Sequence, residues 1–94
     1  MKIAVDCRGT HESWLCHVTI GDDPGATNHA VTVSGETVRE LAAGEAEPTR
    51  LVEESFRFLL EREPRESILR TFELPLIGRY FPEYEDQIRR RLAQ

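Results

Sequence analysis

The hydrophobic period of this chain changes once, at Ser34, and that change limits what it can fold into. Before Ser34, apolar residues alternate with polar ones, the period of half-buried strands; after it they recur every three or four residues, the period of helices. Ile3, Val5 and Cys7 share one face of a first strand. Trp14, Cys16, Val18 and Ile20 share one face of a second, and His29, Val31 and Val33 one face of a third. Turn chemistry separates them, RGTHES at residues 8–13 and GDDPGATN at 21–28. These signals predict a three-stranded antiparallel β-meander over residues 1–34. Aligning the apolar sets predicts its register: Val5 opposite Val18, and Val18 opposite Val33. Such a sheet has one apolar face and needs a helical layer to cover it.

The second half supplies that layer. Ser34 is placed to cap a short helix through ETVRELAA, with Val38, Leu41 and Ala42 as its apolar edge and Gly44 as its stop. Pro48 opens a long helix, TRLVEESFRFLLERE, with a stripe of Leu51, Val52, Ser55, Phe56, Leu59 and Leu60. It ends by Glu63, because Pro64 disfavours helical geometry in the residue before it. A C-terminal run of short helices follows: RESILRTF, PLIGRYF and PEYEDQIRRRLA. The last carries acids in its first turn and Arg89, Arg90 and Arg91 in its last, complementing the helix dipole, with Tyr84, Ile88 and Leu92 as a narrow apolar seam. The expectation is a single α+β domain over residues 1–94, with the meander at 1–34 packed against a helical layer at 35–94. A chain of 94 residues fits one core of this kind.

Charge and hydropathy narrow the partners. The net charge of −5 disfavours non-specific attraction to nucleic-acid phosphates. No stretch approaches the ~18 consecutive apolar residues of a membrane span. The N-terminal MKIAVDCRG reaches Asp6 before a signal-peptide core could form. A cytoplasmic location without a membrane partner is expected, and the excess of arginine over lysine fits the GC-rich coding of a prokaryotic gene.

Four constellations invite a chemical reading. Cys7 and Cys16 fall opposite each other on the apolar face, and in a cytoplasmic chain two buried thiols are expected there rather than a disulfide. No metal is expected: neither CxxC nor HxxxH occurs, and the neighbours Cys16 and His17 point to opposite faces of a strand. Asp6 opposite His17 and His17 opposite Ser34 would follow the order of a hydrolase triad. A flat sheet face offers neither oxyanion hole nor pocket, so these residues read as a solvated ladder with Thr19 and Thr32. Gly-rich phosphate loops are absent from the sequence. Neither catalytic residues nor a cofactor is expected.

Function then turns on ESILRTFELPLIGRYFPEYED, residues 66–86. The chain holds more apolar helical segments than one three-stranded sheet can cover. The leading expectation is therefore a small non-enzymatic regulatory or adaptor protein acting through protein–protein contacts, with self-association as a homodimer. Phe72, Leu74, Ile77 and Phe81 are expected inward. Arg79, Tyr80 and Tyr84 are expected at the partner surface, being of the types enriched at interfaces. The alternative is a DNA-binding transcriptional regulator or antitoxin-like protein using a helix-turn-helix-like segment at residues 66–81. In that segment only Arg79 would reach a base or phosphate.

Overall fold

The computed structural model describes residues 2–42 and 47–93. Strands β1 (Ile3–Gly9), β2 (Ser13–Ile20) and β3 (Thr27–Ser34) run antiparallel in that order. The first hairpin has the expected register, with Val5 opposite Val18 and Cys7 opposite Cys16. The second does not. Val18 faces His29, and Ser34 faces Ser13 at the far end of β2, four residues away from the expected pairing. Because side chains alternate with period two, a slip of four leaves each residue on its expected face and changes only its neighbour. The cause is the turn. The Asp23 carboxylate accepts from the Gly25 N–H at 2.9 Å, and the Asp23 carbonyl accepts from the Ala26 N–H at 3.0 Å. The chain therefore reverses within residues 21–26, and β3 begins at Thr27. Gly21 has a φ of +93° there, a backbone conformation open to glycine.

A fourth strand corrects the expected three-stranded meander. β4 (Thr71–Glu73) pairs in parallel with β3, giving a four-stranded mixed sheet of order β1-β2-β3-β4 among the described residues. Parallel neighbours need a long crossover, and α1 (Gly35–Ala42) and α2 (Pro48–Leu60) lie within it. The sequence around β4 alternates accordingly, with Thr71 and Glu73 exposed and Phe72 and Leu74 buried. Residues 66–81 are thus the end of a 3-10 turn (Arg65–Ser67), a strand and the five-residue α3 (Leu76–Tyr80). They form no helix-turn-helix, and residues 35–94 are not a purely helical layer.

Ser34 caps α1 as expected, accepting from the Thr37 N–H at 3.1 Å. Gly44, its expected stop, lies outside the described residues. Helix α2 has no side-chain cap at Glu47. That absence costs about 1 kcal/mol. It is small beside the burial of Leu51, Val52, Phe56, Phe58 and Leu59, each contributing roughly 1.5–3 kcal/mol. The buried set departs from the expected stripe, because Phe58 is fully buried and Leu60 only partly. Helix α2 is covered on two sides. Phe56 meets the rings of His29 and Phe72 on the sheet, while Phe58 meets Phe81 and Tyr84 edge-on. The second cover is α4 (Tyr84–Leu92), whose Tyr84 and Ile88 are buried. None of the described helices is long and apolar enough to cross a membrane.

The Cys7–Cys16 pair is a disulfide, which corrects the expectation of two thiols. Direct opposition in the register brings the sulfurs together. The thiol expectation rested on location and not on geometry.

One buried polar group holds the α2–α4 contact. The Ser55 hydroxyl donates to the Leu51 carbonyl at 2.7 Å, which leaves its oxygen to accept from the Tyr84 hydroxyl at 2.6 Å. Replacing Tyr84 by Phe removes a donor whose acceptor keeps another bond, and about 1 kcal/mol of stability should be lost. Ser55→Ala strands the Tyr84 hydroxyl in the core and should cost more, about 1–3 kcal/mol. Urea unfolding of the two variants checks this order; an equal or smaller loss in Ser55→Ala would show that the tyrosine finds another partner.

Candidate functional site

Pro64 ends the helical run after α2, Pro75 precedes α3, and Pro82 separates α3 from α4. Short elements fenced in this way leave a gap between them. Its walls are Leu59 from α2, Ser67, Ile68 and Leu69 before β4, Phe72 from β4, and Leu76, Ile77 and Tyr80 from α3, with Phe81 and Glu63 completing a groove of about 400 Å³. The floor is buried, but the rim is not: Leu69 is 49% and Tyr80 66% exposed. Among the described residues, the other large apolar side chain with comparable exposure, Leu15, lies on the open face of the sheet.

Glu63 is the acidic residue in the lining. Partial burial raises its carboxyl above the ordinary carboxylate range. The arginines on either side of it in sequence serve other acids. Arg62 pairs with Glu83 at 3.2 Å and Glu61 at 3.4 Å and lies 3.6 Å from the centre of the Phe58 ring. Arg65 pairs with Asp23 at 3.1 Å and Glu66 at 3.2 Å, fastening the 3-10 turn to the β2–β3 turn. Among the described residues, no side chain gives Glu63 a hydrogen bond or an ion pair.

The expected partner residues divide. Arg79 and Tyr80 are both exposed on α3, Tyr80 at the groove's rim and Arg79 next to it in sequence. Tyr84 is not at the surface: it is 1% exposed, and burial raises the pKa of its hydroxyl far above the usual tyrosine value despite the bond to Ser55. Of the residues expected inward, Phe72, Leu74 and Ile77 are buried and Phe81 partly so. The groove as a whole escaped the sequence reading, and so did Glu63. Its signal was the density of apolar residues from Ile68 to Phe81, spaced at both strand and helix intervals.

The other constellations do not assemble. Asp6 opposes His17, but Ser34 sits four residues farther along the sheet from His17, about 13 Å at strand rise. His17 and Thr19 instead share Asn28 Oδ1, at 3.3 and 3.0 Å. A second, more open hollow of about 540 Å³ on that face is lined by Asp6, Arg8, Leu15, His17, Asn28 and Arg70 among others, a mixture of charges. Nor do the described residues contain a cluster of histidine, cysteine and acidic side chains able to hold a metal. The basic end of α4 is largely used internally, Arg91 pairing with Glu61 at 2.7 Å and Arg89 with Glu85 and Asp86. Compared with protein-family models, with curated proteins and with solved structures, the chain matches none.

The groove's outer wall is anchored from beneath by His29. Its Nδ1–H donates to the Leu69 carbonyl at 2.8 Å, which fixes the neutral tautomer and leaves Nε2 to accept from the Thr27 hydroxyl at 2.9 Å. Burial, helped by Arg70 and His17, lowers the His29 pKa against the opposing effect of that carbonyl. The unfolded chain therefore takes up this proton more readily than the folded one. Stability is complete above the ordinary histidine value of about 6.5 and falls as the pH drops through the lowered one. Denaturant midpoints between pH 7.5 and 5 should decline in the natural chain and decline less in His29→Gln. Parallel declines would remove His29 from the account.

Proposed function

We propose that this chain is a small non-enzymatic regulatory or adaptor protein that acts through protein–protein contacts made at the groove between α2, β4 and α3. The observation that carries the reading is the coincidence at one place of exposed Leu69 and Tyr80 with a carboxylate that pairs with no cation among the described residues. Apolar side chains at a rim, above a buried apolar floor, gain from being covered by another surface. Arg79 and Tyr80 belong to types enriched at such contacts. Tyr84 lies behind that surface, against Phe58, whose ring in turn meets Phe81 of the groove lining. The DNA-binding alternative has lost the helix-turn-helix on which it depended, and no other feature favours it.

A photo-cross-linking residue placed at position 80 tests the proposal in the cells that make the protein. Irradiation should yield covalent protein adducts from position 80 and few from position 15, which is similarly exposed but lies on the open sheet face. Adducts at 15 and none at 80 would reject the groove as the contact surface.

Cytoplasmic residence belongs to the same proposal and carries a consequence for Cys7 and Cys16. The glutathione pool of the cytosol reduces most disulfides, whereas an oxidising compartment preserves them. Alkylation of intact cells before lysis tests the location against the disulfide seen in the structure: modification of both cysteines would show that the bond is reduced in a cytoplasmic chain. A pair still bonded at that point would place the chain in an oxidising compartment instead.

A further inference from the structure

The groove presents a hole and, on its own rim, a knob. The hole is largely apolar and contains the Glu63 carboxylate, which pairs with no described residue; the knob is Tyr80, an aromatic side chain that is 66% exposed. Beside Tyr80 on α3 stands Arg79, an exposed guanidinium that makes no ion pair or hydrogen bond with any described residue. A surface meant for an unrelated protein needs only one half of each complementary pair. Here cavity, anion and plug lie on one patch of one chain, and the cation stands next to the plug on α3. That is what a two-fold symmetric contact requires, because each copy must offer what the other accepts.

We infer that the occupant of the groove is a second copy of this chain, Tyr80 of each protomer entering the partner's groove and Arg79 of each pairing with the partner's Glu63. This inference rests on the groove being a protein-contact surface and names what fills it. The contact also answers the charge problem at Glu63: a cation that no described residue of the protomer supplies arrives with the second copy. Since ten residues line the groove, the contact is smaller than the 20–30 residues per side of a standard stable interface. The dimer is accordingly expected to be reversible, with a Kd of about 10–100 µM.

Sedimentation equilibrium of the full chain, from micromolar concentration to about 0.5 mM, reads this directly. The natural chain should show a monomer–dimer equilibrium. Glu63→Arg and Arg79→Glu should each weaken it about tenfold or more, and the two together should restore most of the affinity by exchanging the charges. Tyr80→Ala should also weaken it without altering thermal unfolding of the monomer, since its side chain is largely exposed. Glu63→Gln separates association from folding: it should weaken the dimer while raising the melting temperature of the monomer at neutral pH, because a carboxylate whose pKa is raised by burial costs stability once ionised. A monomer throughout this range would overturn the inference, as would a dimer indifferent to these substitutions or a charge exchange that restores nothing. Adducts from position 80 to other proteins, with the chain itself monomeric, would reject self-pairing and keep the groove as a contact surface. A monomeric chain without adducts at position 80 would reject both.

Discussion

Burial of α2 on two sides is the constraint to which the rest of the fold answers. The side that carries Phe56 lies against the sheet, and the side that carries Ser55 and Phe58 lies against α4. A helix placed between two layers needs both of them, so the chain must continue after α2 to build the outer one. On the way it adds β4 beside β3, which extends the apolar sheet face by Phe72. The ends of the α2–α4 contact are tied by polar groups rather than left to packing. Arg50 donates to the Leu92 carbonyl at 3.2 Å, and Arg62 reaches Glu83 at 3.2 Å. Each exposed tie of this kind contributes little alone. Their use is to fix the angle at which α4 crosses a helix that it touches through only a narrow seam.

The same constraint accounts for the position of the groove. Once α4 occupies the outer side of α2 and the sheet its inner side, α3 has to bridge from β4 to α4 in one short helix between two prolines. Five residues rise about 7.5 Å, too little to cover both Leu59 and the segment at Ile68 and Leu69. The surface left bare is therefore apolar by construction. Its outer wall is not loose, because His29 reaches from β3 to hold the Leu69 carbonyl. The remaining open face of the sheet differs in kind, with its hydrogen bonds made among His17, Thr19 and Asn28.

What could be read from the sequence was direction, and what could not was partnership. Period two placed Trp14, Cys16, Val18, Ile20, His29, Val31 and Val33 on one face, and that face is the one the helices cover. Alternation carries no information about which residue stands opposite, so the second hairpin slipped by four with every face preserved. The length of the turn held the missing quantity, and it depended on Asp23 closing a tighter reversal than a turn over residues 21–28 implied. β4 was illegible for another reason. A three-residue strand with one buried side chain has no period of its own and exists because the edge of β3 accepts it. Tyr84 was legible and misjudged: its spacing with Ile88 and Leu92 already placed it on a buried seam, and residue-type preference pulled it outward. Phe58 was missed because a single stripe was assumed for a helix that buries two. The groove lies among β4, α3 and the end of α2, where these omissions meet.

Glu63 stands apart from the way this chain treats its other polar groups. The described residues leave no fully buried side-chain nitrogen or oxygen without a hydrogen-bond partner. Even the serine in the middle of α2 satisfies both its donor and an acceptor site. With eleven arginines in the chain, a cation for Glu63 was not scarce, and two of them adjoin it closely in sequence. Both turn away, Arg62 toward Glu83 and the Phe58 ring, Arg65 toward Asp23. Helix geometry explains the first departure, since the Arg62 side chain folds back on the preceding turn, where its guanidinium meets the Phe58 carbonyl at 3.1 Å. The 3-10 turn after Pro64 explains the second. Neither explains why the position between them should be a carboxylate. Glutamine would fill the same space without the cost of desolvating a charge. Within one protomer, the negative charge at the edge of an apolar groove is a loss. It becomes favourable when another chain brings a cation to it.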